Sequence, residues 1–230
     1  MGLQLRGGPT ISLRNITMNY DEFRALSNIS LDVLPGEIHA IVGEHGAGKS
    51  SIAQIMSGML RPVEGTIKLA GRTIPQYSLA TAQKAGVRMV YQQTYLNEHF
   101  SVGEDLFYTT KSSTKFGFYS RGRTEQQARE YLGKNGFAID PRVELRSLSL
   151  SDRTVIEILK NLYFDPELLI LDETLEKLSH ESYEKIKPIL LKLRDRGGSV
   201  VTITHRVDDV YRLANTVSVI KQGTLLATDQ

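Results

Sequence analysis

Residues Gly43-Glu44-His45-Gly46-Ala47-Gly48-Lys49-Ser50 follow the pattern G-x-x-x-x-G-K-[ST], between an apolar run, Ile38 to Val42, and an amphipathic run from Ser51 to Met59. Strand, glycine-rich loop and helix in that order leave few folds open. The chain must turn tightly at residues without a Cβ, so that backbone N–H groups point into a concavity, and the following helix adds the positive end of its dipole. Such a cradle suits phosphate. Gly43 through Ser51 is therefore the candidate nucleotide-binding segment, with Lys49 reaching the β- and γ-phosphates and the Ser50 hydroxyl coordinating Mg²⁺. A glycine-rich turn matching by chance would lack the flanking strand and helix.

Around this segment the chain alternates strand-like and helix-like runs. Strands are expected at Ile11 to Met18, Ile29 to Val33, Ile38 to Val42, Thr66 to Leu69 and Val87 to Tyr91. After residue 150 come a helix from Ser151 to Tyr163, the strand Leu168 to Leu171, a helix from His180 to Arg196 and the strand Ser199 to Thr204. A helix from Val207 to Leu213 and strands Val217 to Ile220 and Thr224 to Ala227 follow. From Asn97 to Arg146 the composition turns Gly-, Ser- and Lys-rich around a helical run, Thr124 to Lys134. The expected fold is α/β of the P-loop NTPase, RecA-type class: a mostly parallel sheet covered on both faces, antiparallel β strands at the N-terminus and an inserted helical subdomain. One domain is expected over residues 1–230, with its core at about 10–96 and 151–230 and the helical subdomain at about 97–150.

Composition narrows the function classes. With 28 basic and 26 acidic residues, the net charge of +2 supplies no global field for nucleic acid or an anionic membrane. Cysteine is absent, which excludes disulfides, thiolate chemistry and Cys-ligated metals. No apolar run approaches the roughly 18 residues of a membrane span, and Met1 to Arg6 has no signal-peptide core, so any membrane connection is expected to run through partner chains.

A second constellation lies downstream. Leu168 to Leu171 leads into Asp172-Glu173, a buried strand ending in two carboxylates. Asp172 would hold Mg²⁺ through water and Glu173 would polarise the attacking water, unless the pair merely caps a strand end. The strand Val200 to Thr204 ends in His205, placed to contact the γ-phosphate or the water.

In order and spacing these motifs resemble the ATP-binding domain of ABC transporters over essentially the whole chain. The resemblance implies that Gln92, in Met89-Val90-Tyr91-Gln92, senses Mg²⁺ and contacts membrane subunits, and that Tyr20 stacks on adenine. Stacking on a flat ring carries little base preference, so other purine nucleotides should be tolerated. Val90-Tyr91-Gln92-Gln93, Ser101 to Phe107 and Leu148-Ser149 followed by Val155 to Lys160 are similar to the first half of ribose- and galactose-type importer ATPases, in which two such domains are fused. The chain stops where that half would stop.

Two departures bear on function. The family signature Leu-Ser-Gly-Gly-Gln stands here as Leu148-Ser149-Leu150-Ser151-Asp152, which replaces both glycines and adds a carboxylate. After Glu173 the usual Pro-Thr-Ser/Ala-Ala-Leu-Asp/Thr is Thr174-Leu175-Glu176-Lys177-Leu178-Ser179, and Ile203-Thr204-His205-Arg206 carries the switch histidine. In this family each ATP lies between one domain's phosphate loop and the other's signature, so the chain is expected to bind nucleotide well and serve its partner's nucleotide poorly.

The implied activity is ATP hydrolysis with Glu173, His205, Lys49 and Gln92 as catalytic groups, powering import of sugars or related solutes. The implied cofactors are ATP and Mg²⁺, the metal held by Ser50, Gln92 and Asp172. Implied partners are a second ABC domain, fused or a homodimer mate, transmembrane permease subunits and, indirectly, a solute-binding protein, with no nucleic acid; the implied location is the cytoplasmic face of the membrane. The rival expectation is a regulatory domain that binds MgATP without turnover.

Overall fold

A hairpin opens the structure, β1 (Ile11–Tyr20) running antiparallel to β2 (Phe23–Val33) through the turn at Asp21 and Glu22. The computed structural model describes residues 8–92, 97–107, 114–115, 118–205 and 207–229; Met1 to Arg6, Gln93 and Arg206, quoted above, lie outside them. β3 (Ile38–Val42) is followed by the glycine-rich loop and α1 (Lys49–Met56). The helix starts two residues earlier than the apolar pattern predicts. Gly48, in the left-handed region at φ 100°, takes the N-cap, which puts Lys49 and Ser50 in the first turn. It ends early because Ser57 closes it and Gly58 (φ 76°) turns the chain away.

β4 (Glu64–Leu69) pairs with β1, and β5 (Arg72–Thr73) with β4, completing an antiparallel sheet in the order β2-β1-β4-β5. α2 (Leu79–Lys84) and β6 (Val87–Val90) follow, and then α3 (Val102–Phe107), the short antiparallel pair β7 (Thr114–Lys115) and β8 (Phe118–Tyr119), α4 (Arg121–Lys134) and α5 (Leu150–Leu162). The remainder comprises β9 (Leu168–Asp172), α6 (His180–Asp195), β10 (Ser199–Thr204), α7 (Val207–Leu213), β11 (Thr216–Lys221) and β12 (Thr224–Asp229). These build a six-stranded sheet, β12-β11-β3-β10-β9-β6, parallel throughout except for the antiparallel edge strand β12.

The chain divides into two compact units. Residues 1–92, 164–176 and 190–230 form the first, and 93–163 with 177–189 the second. In the first, α1 touches β1 on one side and β9 and β10 on the other, so Ile52, Ile55 and Met56 are fully buried between the two sheets. Transfer of such side chains from water stabilises by about 1.5–3 kcal/mol each.

The second unit packs α3 against α4 and α5. Phe107, Tyr131 and Tyr163 meet edge to face with centroids 4.8–5.8 Å apart, the Tyr131 hydroxyl donates to Leu159 O at 2.8 Å, and Lys160 Nζ bonds Asp105 Oδ1 at 2.7 Å. This unit differs from the expected insert. Its start falls after Gln92 rather than near residue 97, and α5, expected in the core from residue 151, belongs to it because the aromatic cluster joins α5 to α3 and α4.

Candidate functional site

Parallel register aligns the ends of four strands. Val42 sits opposite Thr204, Ile203 opposite Asp172 and Leu171 opposite Val90, so the residues just past β3, β10, β9 and β6 emerge along one edge. These are Gly43, His205, Glu173 and, two positions beyond its strand, Gln92. An open α/β sheet carries its ligands at this edge.

Buried polar contacts fix the strand that delivers the loop. The Glu37 carboxylate accepts from Leu34 N at 2.5 Å and lies 2.7 Å from His39 Nδ1; His39 Nε2 lies 2.8 Å from Ser218 Oγ, itself 2.7 Å from Thr228 Oγ1. The chain of contacts ties β3 to β11 and β12. Burial opposes the Glu37 charge, but the His39 imidazole and the Leu34 N–H outweigh it and hold the carboxyl below its ordinary range.

The loop is braced from behind. Gln222 and Gly223 both adopt positive φ in the two-residue turn between β11 and β12, and Gly223 N donates to Ala47 O at 3.0 Å while its carbonyl accepts from Ser27 N at 2.8 Å. Gly43 is needed here for packing: a Cβ would stand 2.2 Å from Ile220 O. At Gly48 a Cβ would meet Leu26 Cδ2 at 2.6 Å.

Lys49, 4% exposed, donates to the Gly43 and Glu44 carbonyls at 2.9 and 2.8 Å, so its ammonium is held over the loop. Ser50 Oγ donates to Asp172 Oδ1 at 3.1 Å, joining the phosphate loop to β9. The Gln92 amide donates to Glu173 Oε2 at 2.5 Å. Glu173 has left-handed backbone, φ 47°, a conformation that costs a residue with a Cβ about 1–2 kcal/mol, and its N–H donates to Ile203 O at 3.0 Å.

A cavity of about 280 Å³ gathers most of the expected residues: Tyr20, His45, Lys49, Ser50, Gln92 and Glu173 line it, as do Gly46, Gly48 and Ser51. Gly43, Glu44 and Ala47 form the loop behind, and Asp172 joins through Ser50. Tyr20 Oη lies 3.3 Å from Ser51 Oγ. His205 is not among the lining residues. Its Nδ1 lies 3.3 Å from Glu176 Oε1, and it borders a second cavity with Val42 and Val210.

Sequence reading missed Phe23, which pairs with Tyr20 across the β1–β2 turn and lines the same cavity while 65% exposed. An aromatic three residues past Tyr20 across a two-residue turn was the available signal. Donor chemistry at the site suits Mg²⁺, since Ser50 and Asp172 offer hard oxygens. Among the described residues no group of three or more His, Asp or Glu is placed to hold a metal ion.

In the second unit, Ser149 caps α5 by accepting from Asp152 N at 3.1 Å, and its hydroxyl donates to Asp152 Oδ2 at 2.8 Å. Among the described residues no helix is long and apolar enough to cross a membrane.

Comparison with known proteins gives concordant findings. The family model described as ABC transporter matches residues 26–176. Ribose import ATP-binding protein RbsA 3 of Rubrobacter xylanophilus is 33% identical over 220 residues, covering 96% of this chain and 44% of that protein. Xylose import ATP-binding protein XylG of Geobacillus kaustophilus is 32% identical over 222 residues, with 96% and 44% covered. The chain thus spans less than half the length of these curated relatives. Among solved structures, a nucleotide-free ATP-binding cassette superposes with TM-score 0.82 at 21% identity, covering 96% of this chain and 91% of that one. A dimeric bacterial ABC transporter cassette also reaches TM-score 0.82, at 23% identity, covering 96% and 98%.

Proposed function

Since the chain belongs to the ABC transporter family, we propose that it is an ATP-binding and ATP-hydrolysing domain that powers import of a sugar or related small solute. The observation that carries the reading is one cavity lined by Lys49, Ser50, Gln92 and Glu173, with Asp172 bonded to Ser50 behind it.

In this reading the phosphate chain lies along Gly43 to Ser51, Lys49 exchanges its two carbonyl partners for β- and γ-phosphate oxygens, and Tyr20 and Phe23 flank the base. Ser50, Asp172 and Gln92 hold Mg²⁺, which when bound neutralises charge on the phosphates. Glu173 accepts the proton of the attacking water, oriented by Gln92 and by its own constrained backbone. His205 stabilises charge on the γ-phosphate. A second ABC domain completes the sandwich, and closure is passed to transmembrane permease subunits at the cytoplasmic face of the membrane. The import assignment draws on what the relatives' names say of them, since a fold alone does not imply a function.

One observation favours the regulatory rival: the Ser149 hydroxyl, which would face a partner's γ-phosphate, is taken up by Asp152. Steady-state MgATP hydrolysis against chain concentration, with binding followed in the same samples, separates the two. A rate per molecule that rises with concentration supports self-assembled catalysis. Tight binding without turnover, persisting when a domain with an intact signature is added, supports regulation.

A further inference from the structure

The turn after β9 brings Glu176 against the end of β10. One oxygen of its carboxylate, Oε1, gathers three contacts: Thr204 Oγ1 donates to it at 2.9 Å, His205 N donates at 3.4 Å, and His205 Nδ1 lies 3.3 Å away. The Glu176 side chain is 16% exposed and that of His205 59%, so the shielded carboxylate determines where the exposed imidazole rests. The two segments are also bound at the backbone through Glu173 N and Ile203 O. His205 meanwhile borders the larger cavity of about 600 Å³ beyond Val42, and not the one around Lys49.

We propose that Glu176 is a positioning residue that latches His205 away from the phosphate-loop cavity, so that a nucleotide's γ-phosphate has to win the imidazole from this carboxylate. The inference rests on the ATP reading above. Two anions compete for one donor. A diphosphate has no group at the γ position and does not enter the competition, so the latch weakens triphosphate binding selectively and narrows the preference for ATP over ADP. A contact between a carboxylate and an exposed imidazole is modest in energy, which sets the effect at about two- to fivefold in affinity.

Glu176→Gln keeps an oxygen acceptor for Thr204 and the His205 N–H while removing the charge, and Glu176→Ser makes the same comparison should the first variant fold poorly. Binding of ADP and of a non-hydrolysable ATP analogue to the 230-residue chain is measured by calorimetry in wild type, E176Q, H205A and the double variant. The expected result is a two- to fivefold gain for the analogue in E176Q, no change for ADP, and loss of the gain in the H205A background. A gain that persists without His205 makes Glu176 a bare charge acting on phosphate, and equal shifts for both nucleotides, or none, make it a scaffold residue; each overturns the latch. A wild-type chain that binds neither nucleotide overturns the ATP reading, and the latch with it.

Discussion

The Gln92 amide holds the Glu173 carboxylate, Nε2 to Oε2, at 2.5 Å, and so links the residue that follows β9 to the segment that follows its parallel neighbour β6. Glu173 is constrained twice, by this bond and by a backbone in the left-handed region whose N–H is tied to Ile203 O. A carboxylate confined in this way is prepared to meet a water at one place.

Replacing Glu173 by Gln is therefore expected to lower MgATP hydrolysis by at least about 100-fold, the share general-base catalysis commonly supplies, with MgATP binding unchanged. Gln92→Ala frees the carboxylate without removing it, and a smaller loss in kcat of about tenfold is expected. Both are read from steady-state rates in whichever assembly supports turnover. Wild-type turnover in E173Q would remove Glu173 from the chemistry.

The phosphate-loop glycines are expected to differ in kind. Gly43→Ala would drive a methyl to 2.2 Å from Ile220 O in β11, which has to shift, whereas Gly46→Ala meets open space and bears only the cost of φ 76°. Urea unfolding should show Gly43→Ala destabilised by about 1–3 kcal/mol or more and Gly46→Ala by about 1–2 kcal/mol. The reverse ranking would mean that β11 yields easily and does not brace the loop.

How much of this was legible in the sequence depends on the range of the forces involved. Ile38–Val42 and Ser199–Thr204 are expected and observed with the same bounds, because largely buried parallel strands read as short runs rich in Val, Ile and Thr. The phosphate loop is legible because its geometry demands glycines at set positions. α2 and α3 were missed although their caps are written in the chain, Ser78 with Thr81 and Ser101 with Glu104; six residues are under two turns, too short for a 3.6-residue period to show. Contacts between distant residues left no local trace: Glu176 on His205, Gly223 behind Ala47, Glu37 through His39 to Ser218. The grouping of α5 with α3 and α4 left no local trace either, since it rests on tertiary contacts such as Phe107 with Tyr163, Tyr131 with Leu159 and Lys160 with Asp105.

Asp152 offers a gain-of-function test. Its carboxylate accepts the Ser149 hydroxyl and would also present negative charge to a partner's γ-phosphate. Asp152→Gln leaves the Asp152 backbone N–H to be capped by Ser149 while removing that charge, so α5 should keep its stability. Hydrolysis per molecule at high chain concentration is expected to rise several-fold. An unchanged rate would place the defect in Leu150 and Ser151, the residues that stand where the signature has glycine.

Glu157 makes the stability of the second unit depend on pH. Burial on α5 pushes its carboxyl up to about 7, Lys160 and Lys177 pull it down, and Asp105 adds to the rise. A carboxyl raised above its ordinary 4.5 keeps its proton in the folded chain after the unfolded chain has lost it. The folded state therefore binds more protons between about 4.5 and 7, and its stability falls as pH rises through that window. Above pH 7 the folded chain carries a buried charge, and the accumulated loss is up to about 3 kcal/mol. Glu157→Gln removes the titration at nearly constant shape. Urea unfolding of both proteins from pH 4 to 8 should give similar stability near pH 4 and a variant that is progressively the more stable toward pH 8, with most of the divergence complete by pH 7. A difference that stays flat across this range would mean that Lys160 and Lys177 keep Glu157 ionised in the folded protein, and that its burial costs nothing that pH can report.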